Sequence, residues 1–235
     1  MKAILLAGGV GTRLQPLTNT IPKPLIPIDD KNLTEHVFAI LKKHGVEEII
    51  LSLGYMADTI QDYFRDGARH GVKISYLKED KLMGTAGPLM LLKKMGKEIK
   101  EDFFVMNADN LFSLDTRKWL DFHSAHNGVA TIALHEVEDP TTYGVVALEG
   151  NRIVQFVEKP KIEEAPSRLI NSGYYILSHK IFDFIPVSDY AMMEKDIFPK
   201  LAELGLLYGY KGEGQWFDTG THERYEKVKK EWRGV

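Results

Sequence analysis

Leu5-Leu6-Ala7-Gly8-Gly9-Val10-Gly11-Thr12-Arg13 sets the reading of this chain. It continues the apolar run Ala3-Ile4-Leu5-Leu6, which predicts a buried first strand, so a glycine-rich turn falls at that strand's carboxyl end. Gly8, Gly9 and Gly11 have no Cβ to hold a polyphosphate away from backbone N–H groups, and they admit positive φ. With Leu6 and Ala7 leading in, the turn is suited to form an anion-binding concavity. Thr12 adds a hydroxyl, and Arg13 adds a guanidinium whose fork matches phosphate oxygens.

Two commoner glycine loops are excluded. No register supplies the Gly-Lys-Ser/Thr ending of a Walker loop. In the dinucleotide fingerprint starting at Gly9 and Gly11, Leu14 occupies the third glycine position, and prolines from Pro16 to Pro27 break the helix that must follow. A tight connection with no ligand is the plain alternative for the loop alone.

A chain of 235 residues with 44% hydrophobic and 27% charged residues suits a soluble globular body with a substantial core. The net charge of −3 gives no general basic face, so nucleic acid is not expected as a partner and a polyphosphate needs a local cluster of cations. The absence of cysteine excludes disulfides and thiolate chemistry. The first apolar run is too short for a signal peptide or membrane span, and a cytoplasmic protein is expected.

Apolar runs alternate with helical patterns through the first half. Leu33, Val37, Ile40 and Leu41 share a helical face, with Asn32 and Glu35 spaced as a capping box. Strands are predicted at Ile49–Leu53, Val72–Leu77 and Phe103–Met106, with helices around Ile60–Phe64 and Pro88–Lys94. This alternation predicts an α/β fold, a Rossmann-like doubly wound and mostly parallel (mixed) sheet flanked by helices in a single domain, with ligands at the carboxyl ends of the strands. Later come a strand at Val129–Leu134, a hairpin turning at Glu149-Gly150-Asn151, a strand at Ile170–Leu177 and two helices marked by Ile197, Leu201 and Tyr225, Val228. His123 and His126 read as a polar helix face, and Met192-Met193 with the aromatics near Tyr174 as core.

Gly8 to Leu14 followed by Pro22-Lys23-Pro24 resembles the N-terminal signature of the sugar-1-phosphate nucleotidylyltransferases. Lys23 is otherwise a solvated lysine; flanked by prolines, it is expected to be held extended and aimed at the loop. Asp109, in Asn107-Ala108-Asp109-Asn110 after an apolar strand, is either a turn cap or, as the resemblance implies, a Mg²⁺ ligand. Asp218, in Trp216-Phe217-Asp218-Thr219-Gly220-Thr221, is locally a turn aspartate, and by resemblance the second carboxylate on that metal. Glu158-Lys159-Pro160 matches a motif that binds the sugar phosphate, with Lys159 again expected to be extended. Asn107, Gly144, Asn171, Gly173 and Glu194 are the other sugar-side positions the resemblance implies. Gly84-Thr85-Ala86-Gly87 resembles the turn over the nucleoside. Glu79 is either a solvated strand end or a carboxylate that accepts the N1–H and N2–H₂ of guanine, which uracil and thymine lack.

The resemblance covers essentially the whole chain and is closest to the mannose-1-phosphate guanylyltransferases. It implies transfer of a nucleoside monophosphate from an NTP, GTP favoured, to mannose 1-phosphate or a related heptose or hexose 1-phosphate, with Mg²⁺. The nucleotide half would come first and the sugar-phosphate half second, on a shared sheet. In the catalytic roles, Lys23 and Asp109 would stabilise charge at the α-phosphate and Arg13 would hold pyrophosphate. The alternatives are a uridylyl- or thymidylyltransferase, or a catalytically idle regulatory protein that binds NDP-sugars. Asp29-Asp30-Lys31-Asn32 departs from the usual Gly-Lys-Pro, and the chain ends at Val235 without the left-handed β-helix of many relatives. No membrane association is expected, and the sequence is compatible with a homo-oligomer.

Overall fold

The computed structural model describes residues 1–234. In chain order the elements are β1 (Lys2–Leu6), β2 (Pro27–Ile28), β3 (Lys31–Asn32), α1 (Leu33–Lys42), β4 (Glu48–Leu53), α2 (Ala57–Phe64), β5 (Lys73–Lys78), α3 (Gly87–Lys94), β6 (Phe103–Asn107), β7 (Asn110–Phe112), α4 (Thr116–Ala125), β8 (Ala130–Glu136), β9 (Gly144–Glu149), β10 (Arg152–Glu158), β11 (Leu169–Leu177), α5 (Phe198–Glu203), β12 (Leu207–Lys211), β13 (Trp216–Asp218) and α6 (His222–Glu231). The fold is α/β with a mixed sheet, as the alternation of patterns predicts. By packing, the chain falls into two compact units that do not follow its midpoint. The first takes Met1–Leu82, Met106–Thr116 and the residues from Glu213 onward; the second takes Met83–Val105 and Arg117–Gly212.

In the first unit β1, β4 and β5 run parallel, with Leu6 paired to Ser52 and Ser52 to Leu77. Parallel neighbours require crossovers, and α1 and α2 supply them. Ala3, Ile4, Leu5, Leu51 and Leu53 are fully buried, which explains why β1 and β4 read as apolar runs, while β5 at the sheet edge alternates. The capping box is present: the Glu35 N–H donates to Asn32 Oδ1 at 2.9 Å, and the Asn32 N–H donates to Glu35 Oε2 at 2.7 Å. β7 and β13 form a separate antiparallel pair in which Asp218 faces Asn110.

The second unit is mostly antiparallel. β8 pairs with β11 antiparallel and with β12 parallel, and β10 pairs antiparallel with β12 and β9. β9 also meets β11 at Val145 and Ile170. The hairpin turns where expected, with Gly150 at φ +61. β12, with its alternation interrupted by Gly209, has no counterpart in the sequence reading. His123 is a correction: it is buried, with Nδ1 2.7 Å from the Thr131 hydroxyl, so it belongs to the core and not to a polar face.

Asn32→Ala removes the side-chain acceptor at the start of α1. Urea unfolding should show a loss of about 1 kcal/mol, the usual cost of deleting an N-cap.

Candidate active site

In the first unit the glycine loop leaves β1 with its backbone pinned against β4. The Ala7 N–H donates to the Ser52 carbonyl at 2.9 Å, and the Tyr55 N–H to the Gly8 carbonyl at 3.2 Å. A Cβ on Gly54 would lie 2.9 Å from Gly8 O, so the two backbones meet only because both residues are glycine. Gly11 sits at φ +68 and opens a single 3₁₀ turn over Thr12–Leu14, while nothing lies within 4 Å of where a Gly9 Cβ would stand. Thr12 and Arg13 are exposed, and Leu6 and Gly8 are half-buried.

Lys23 is buried, its side chain only 8% exposed, and its ammonium donates to Asp109 Oδ2 at 2.6 Å. Its backbone is a correction. Instead of running extended it starts a 3₁₀ turn, with the Leu25 N–H donating to Pro22 O at 2.8 Å and the Ile26 N–H to Lys23 O at 3.1 Å. Those two turn bonds outweigh the pre-proline preference, and the side chain still reaches the aspartate.

Asp109 is fixed by its surroundings. The Ala108 N–H donates to Leu6 O at 3.1 Å, and the Thr219 hydroxyl to Asp109 O at 2.6 Å. The β7–β13 pairing sets Asp218 opposite Asn110, the residue after Asp109, across a long sequence gap. Asp218 pairs with the Arg224 guanidinium from the first turn of α6. A Cβ on Gly220 would come within 2.8 Å of Asp218 Oδ1 and 3.0 Å of Arg13 Nη2, so the glycine makes room for both groups. Asn107 ends β6, two residues before Asp109. Glu79 follows β5, with its N–H on Leu53 O and its Oε1 accepting from the Ser52 hydroxyl at 2.9 Å.

The second unit holds the other motif residues. Gly84 has φ +81 and a Cβ there would meet Ala191 O at 2.2 Å, while the Ala86 N–H donates to that same carbonyl at 3.1 Å. The Thr85 hydroxyl donates to Glu194 Oε2 and accepts from the Met193 N–H at 2.9 Å. Tyr175, fully buried, joins this network: its hydroxyl accepts from Asn171 Nδ2 at 3.0 Å and lies 3.4 Å from Glu194 Oε1. Asn171 Oδ1 in turn accepts from the Gly173 N–H at 2.9 Å, at the irregularity where β11 shifts register and Gly173 takes φ +84.

Glu158 lies against Gly144, whose Cβ would be 3.1 Å from its Oε2, and pairs with Lys159 at 3.1 Å. Lys159 is also a correction: it is left-handed at φ +51, not extended. A non-glycine residue pays roughly 1–2 kcal/mol for that conformation, and here its N–H donates to Tyr143 O at 2.9 Å, anchoring the backbone.

Arg224, Thr219, Ser52 and Tyr175 complete these two clusters and were not singled out from sequence. Tyr175 was grouped with the core, which its ring joins; only its hydroxyl belongs to the polar network. Arg224, at the start of a helix six residues after Asp218, carried no motif signal.

Burial raises the Glu194 carboxyl above the ordinary 4.5, prevailing over the hydrogen bond from Thr85, and the Glu158 charge adds to the rise. Burial also pushes the Tyr175 phenol well above its usual range, and the Glu194 charge reinforces it. A carboxyl that binds its proton more tightly folded than unfolded contributes most when protonated. That contribution is complete below about pH 4.5 and is lost as pH rises through the raised value. Glu194→Gln, which keeps an acceptor for Thr85, should flatten the stability–pH curve above pH 4.5, as read by urea unfolding at stepped pH; an unchanged slope would remove Glu194 as its source.

Among the described residues no helix is long and apolar enough to cross a membrane. A solved structure of HddC from Yersinia pseudotuberculosis complexed with GMP-PN is 31% identical, with TM-score 0.80 and 99% of each chain covered. The catalytic subunit beta of mannose-1-phosphate guanylyltransferase from Danio rerio is 41% identical over 223 residues, covering 94% of this chain and 61% of that protein. A UTP–glucose-1-phosphate uridylyltransferase from Synechocystis sp. is 37% identical over 238 residues, covering 96% of this chain and 61% of its own length. This chain thus spans about 61% of the length of the curated relatives it matches. The nucleotidyl transferase family model matches residues 2–233, taking in the glycine loop, both aspartates and the Glu158–Lys159 pair, and the chain belongs to that family.

Proposed function

We propose that this protein transfers a nucleoside monophosphate from an NTP to a sugar 1-phosphate, with GTP as the favoured donor and mannose 1-phosphate or a related heptose or hexose 1-phosphate as acceptor. A phosphate oxygen of the sugar 1-phosphate attacks the α-phosphorus. The bond from that phosphorus to the bridging oxygen of the β-phosphate breaks, and pyrophosphate leaves with the electron pair. No covalent enzyme intermediate is required, so the chain's task is positioning and charge stabilisation.

The observation that carries this reading is the buried Lys23–Asp109 pair at the glycine loop, with Asp218 set opposite Asn110 by the β7–β13 pairing. A glycine-rich loop with Gly9 exposed suits a polyphosphate, and Lys23 and Arg13 are the cations for the charge that develops. Asp109, with its side chain 36% exposed, and Asp218 offer hard oxygen donors. No group of three or more possible ligands clusters among the described residues. Two carboxylates fit magnesium, which keeps waters and takes phosphate oxygens as its remaining ligands. Bound there, Mg²⁺ would neutralise phosphate charge.

For the acceptor, Lys159 is the phosphate-binding cation and Glu158, Asn171 and Glu194 are the groups for sugar hydroxyls, with Gly144 and Gly173 assigned to the same side. Gly84, Thr85 and Ala86 are assigned to the nucleoside. Guanine is favoured because Glu79 is a carboxylate held in place by Ser52, able to accept two donors together. The guanylyltransferase from Danio rerio and the GMP-PN complex support that choice. A cytoplasmic location goes with this reading, since it draws on intracellular nucleotides.

Pyrophosphate release measured with Mg²⁺ across four NTPs and mannose, glucose, N-acetylglucosamine and heptose 1-phosphates should be fastest with GTP and mannose or heptose phosphate. Silence in every pairing, with tight NDP-sugar binding, would instead identify an idle regulatory protein. Asp109→Asn should keep a cooperative unfolding transition and lower kcat by at least ~100-fold, the scale of one lost electrostatic stabiliser; near-normal turnover would remove Asp109 from the mechanism. Glu79→Gln should cut the GTP-over-UTP preference by about tenfold, the worth of one charge-assisted hydrogen bond; an unchanged ratio would discard Glu79 as the base reader.

A further inference from the structure

Lys31 of β3, one face of α1 and the turn before β5 border an open cleft of about 250 Å³ in the first unit that the proposed reaction does not use. Its walls carry Lys31, Lys42, Arg69 and His70 around a single carboxylate, Glu35, over a floor of Phe38 and Ala39. Glu35 is already committed. Its Oε2 holds the Asn32 N–H of the capping box, and its Oε1 faces His70 Nδ1 at 3.2 Å and accepts from the Tyr63 hydroxyl at 3.3 Å. One carboxylate engaged in this way cannot neutralise three permanent cations.

The cations are also arranged with few internal partners. Among the described residues the Arg69 guanidinium has no hydrogen bond and no carboxylate partner. The Lys42 ammonium donates to the His70 carbonyl at 2.8 Å and has no acidic partner among the described residues, and Gly71 makes room for it, since a Cβ there would lie 2.5 Å from Nζ. Lys31 pairs with Asp30, at 3.7 Å and with both side chains well exposed. The His70 ring is held in a fixed plane, stacked on Tyr63 and edge-on to Phe64. A cleft with surplus positive charge, a preplaced ammonium, an uncommitted guanidinium fork and an apolar floor fits a small dianion with a compact body. The volume is below the roughly 300–1,000 Å³ of drug-sized ligand pockets, which suits a small anion.

We propose that this cleft binds a small phosphate oxyanion, the head held by Lys42 and Arg69 beside His70. The chemistry is shared by free inorganic phosphate and by phosphomonoesters of small metabolites. The proposal is independent of the transfer reaction.

The test is an NMR titration of the full chain following the His70 imidazole signal, assigned with His70→Gln, against inorganic phosphate and glucose 6-phosphate. Potassium chloride at matched ionic strength is the control. A saturable shift with either phosphate probe, absent with chloride and weakened about tenfold or more in Arg69→Gln and in Lys42→Gln, is expected. Tighter binding of glucose 6-phosphate would assign the site to phosphomonoesters, with the apolar floor contributing; equal binding would assign it to free phosphate. Arg69→Gln removes a side chain with no internal bond, so it should fold as the parent does. A His70 signal that follows only ionic strength, or a response undiminished in both variants, would overturn the site.

Discussion

Burying the Lys23 ammonium is the constraint on which the first unit's site depends. An ion at 8% side-chain exposure has lost most of its water, and such a charge is tolerated only with a partner at close range. Asp109 provides it at 2.6 Å, but only while the turn after β6 stays where the Leu6 carbonyl and the Thr219 hydroxyl hold it. The segment between the loop and the lysine is anchored back to the loop, where Thr18 donates to Gly11 O at 2.9 Å, and Lys23 Cβ itself stands 3.3 Å from the space a Gly11 side chain would take. The glycine loop, the lysine, the aspartate and the C-terminal β13 are therefore conditions for one another. Disturbing any of them leaves a charge without its partner, which costs far more than a surface ion pair is worth.

The second unit solves its electrostatics differently. Its most buried acid, Glu194, is surrounded by hydroxyls, with burial raising its proton affinity and the Tyr175 phenol held protonated beside it. The polar groups are fixed by backbone that few residues adopt willingly. Gly84 and Gly173 have positive φ, and Lys159 accepts a left-handed conformation although it has a side chain. Strain of this kind persists where surrounding bonds over-determine the geometry, and it gathers at sites that must hold side chains in set directions.

The elements governed by local pattern were legible in the sequence. The apolar runs of β1 and β4, the capping box at Asn32 and Glu35, and the turn at Gly150 each need only a few adjacent residues to declare themselves. What escaped was decided at long range. β7 and β13 are three residues each, too short for any periodicity, yet their pairing is what sets Asp218 opposite Asn110, the residue after Asp109. The proline rule that predicted extended backbone at Lys23 and Lys159 is a local preference, and it lost to specific hydrogen bonds from neighbouring turns. His123 looked like one of two surface histidines, because sequence spacing does not reveal that a threonine on β8 waits for one of them. The motif residues were found through resemblance; residues that act on them, such as Arg224 and Tyr175, have no spacing rule to give them away.

In the first unit each of the two aspartates already has an internal cation: Lys23 answers Asp109, and Arg224 answers Asp218. A polyphosphate arriving with a divalent cation brings both signs of charge together. On the proposed reading, Asp109 and Asp218 would hold the divalent cation and the side-chain cations would answer the phosphate oxygens, so that no buried charge would be left without a partner. A cation arriving by itself would have to compete with the ammonium and guanidinium already on the carboxylates, and a polyphosphate by itself would compete with the carboxylates already on the cations. On the proposed reading, the internal pairing is therefore a reason for the two to enter together, and it follows from the low dielectric around Lys23, where an unpaired charge is expensive.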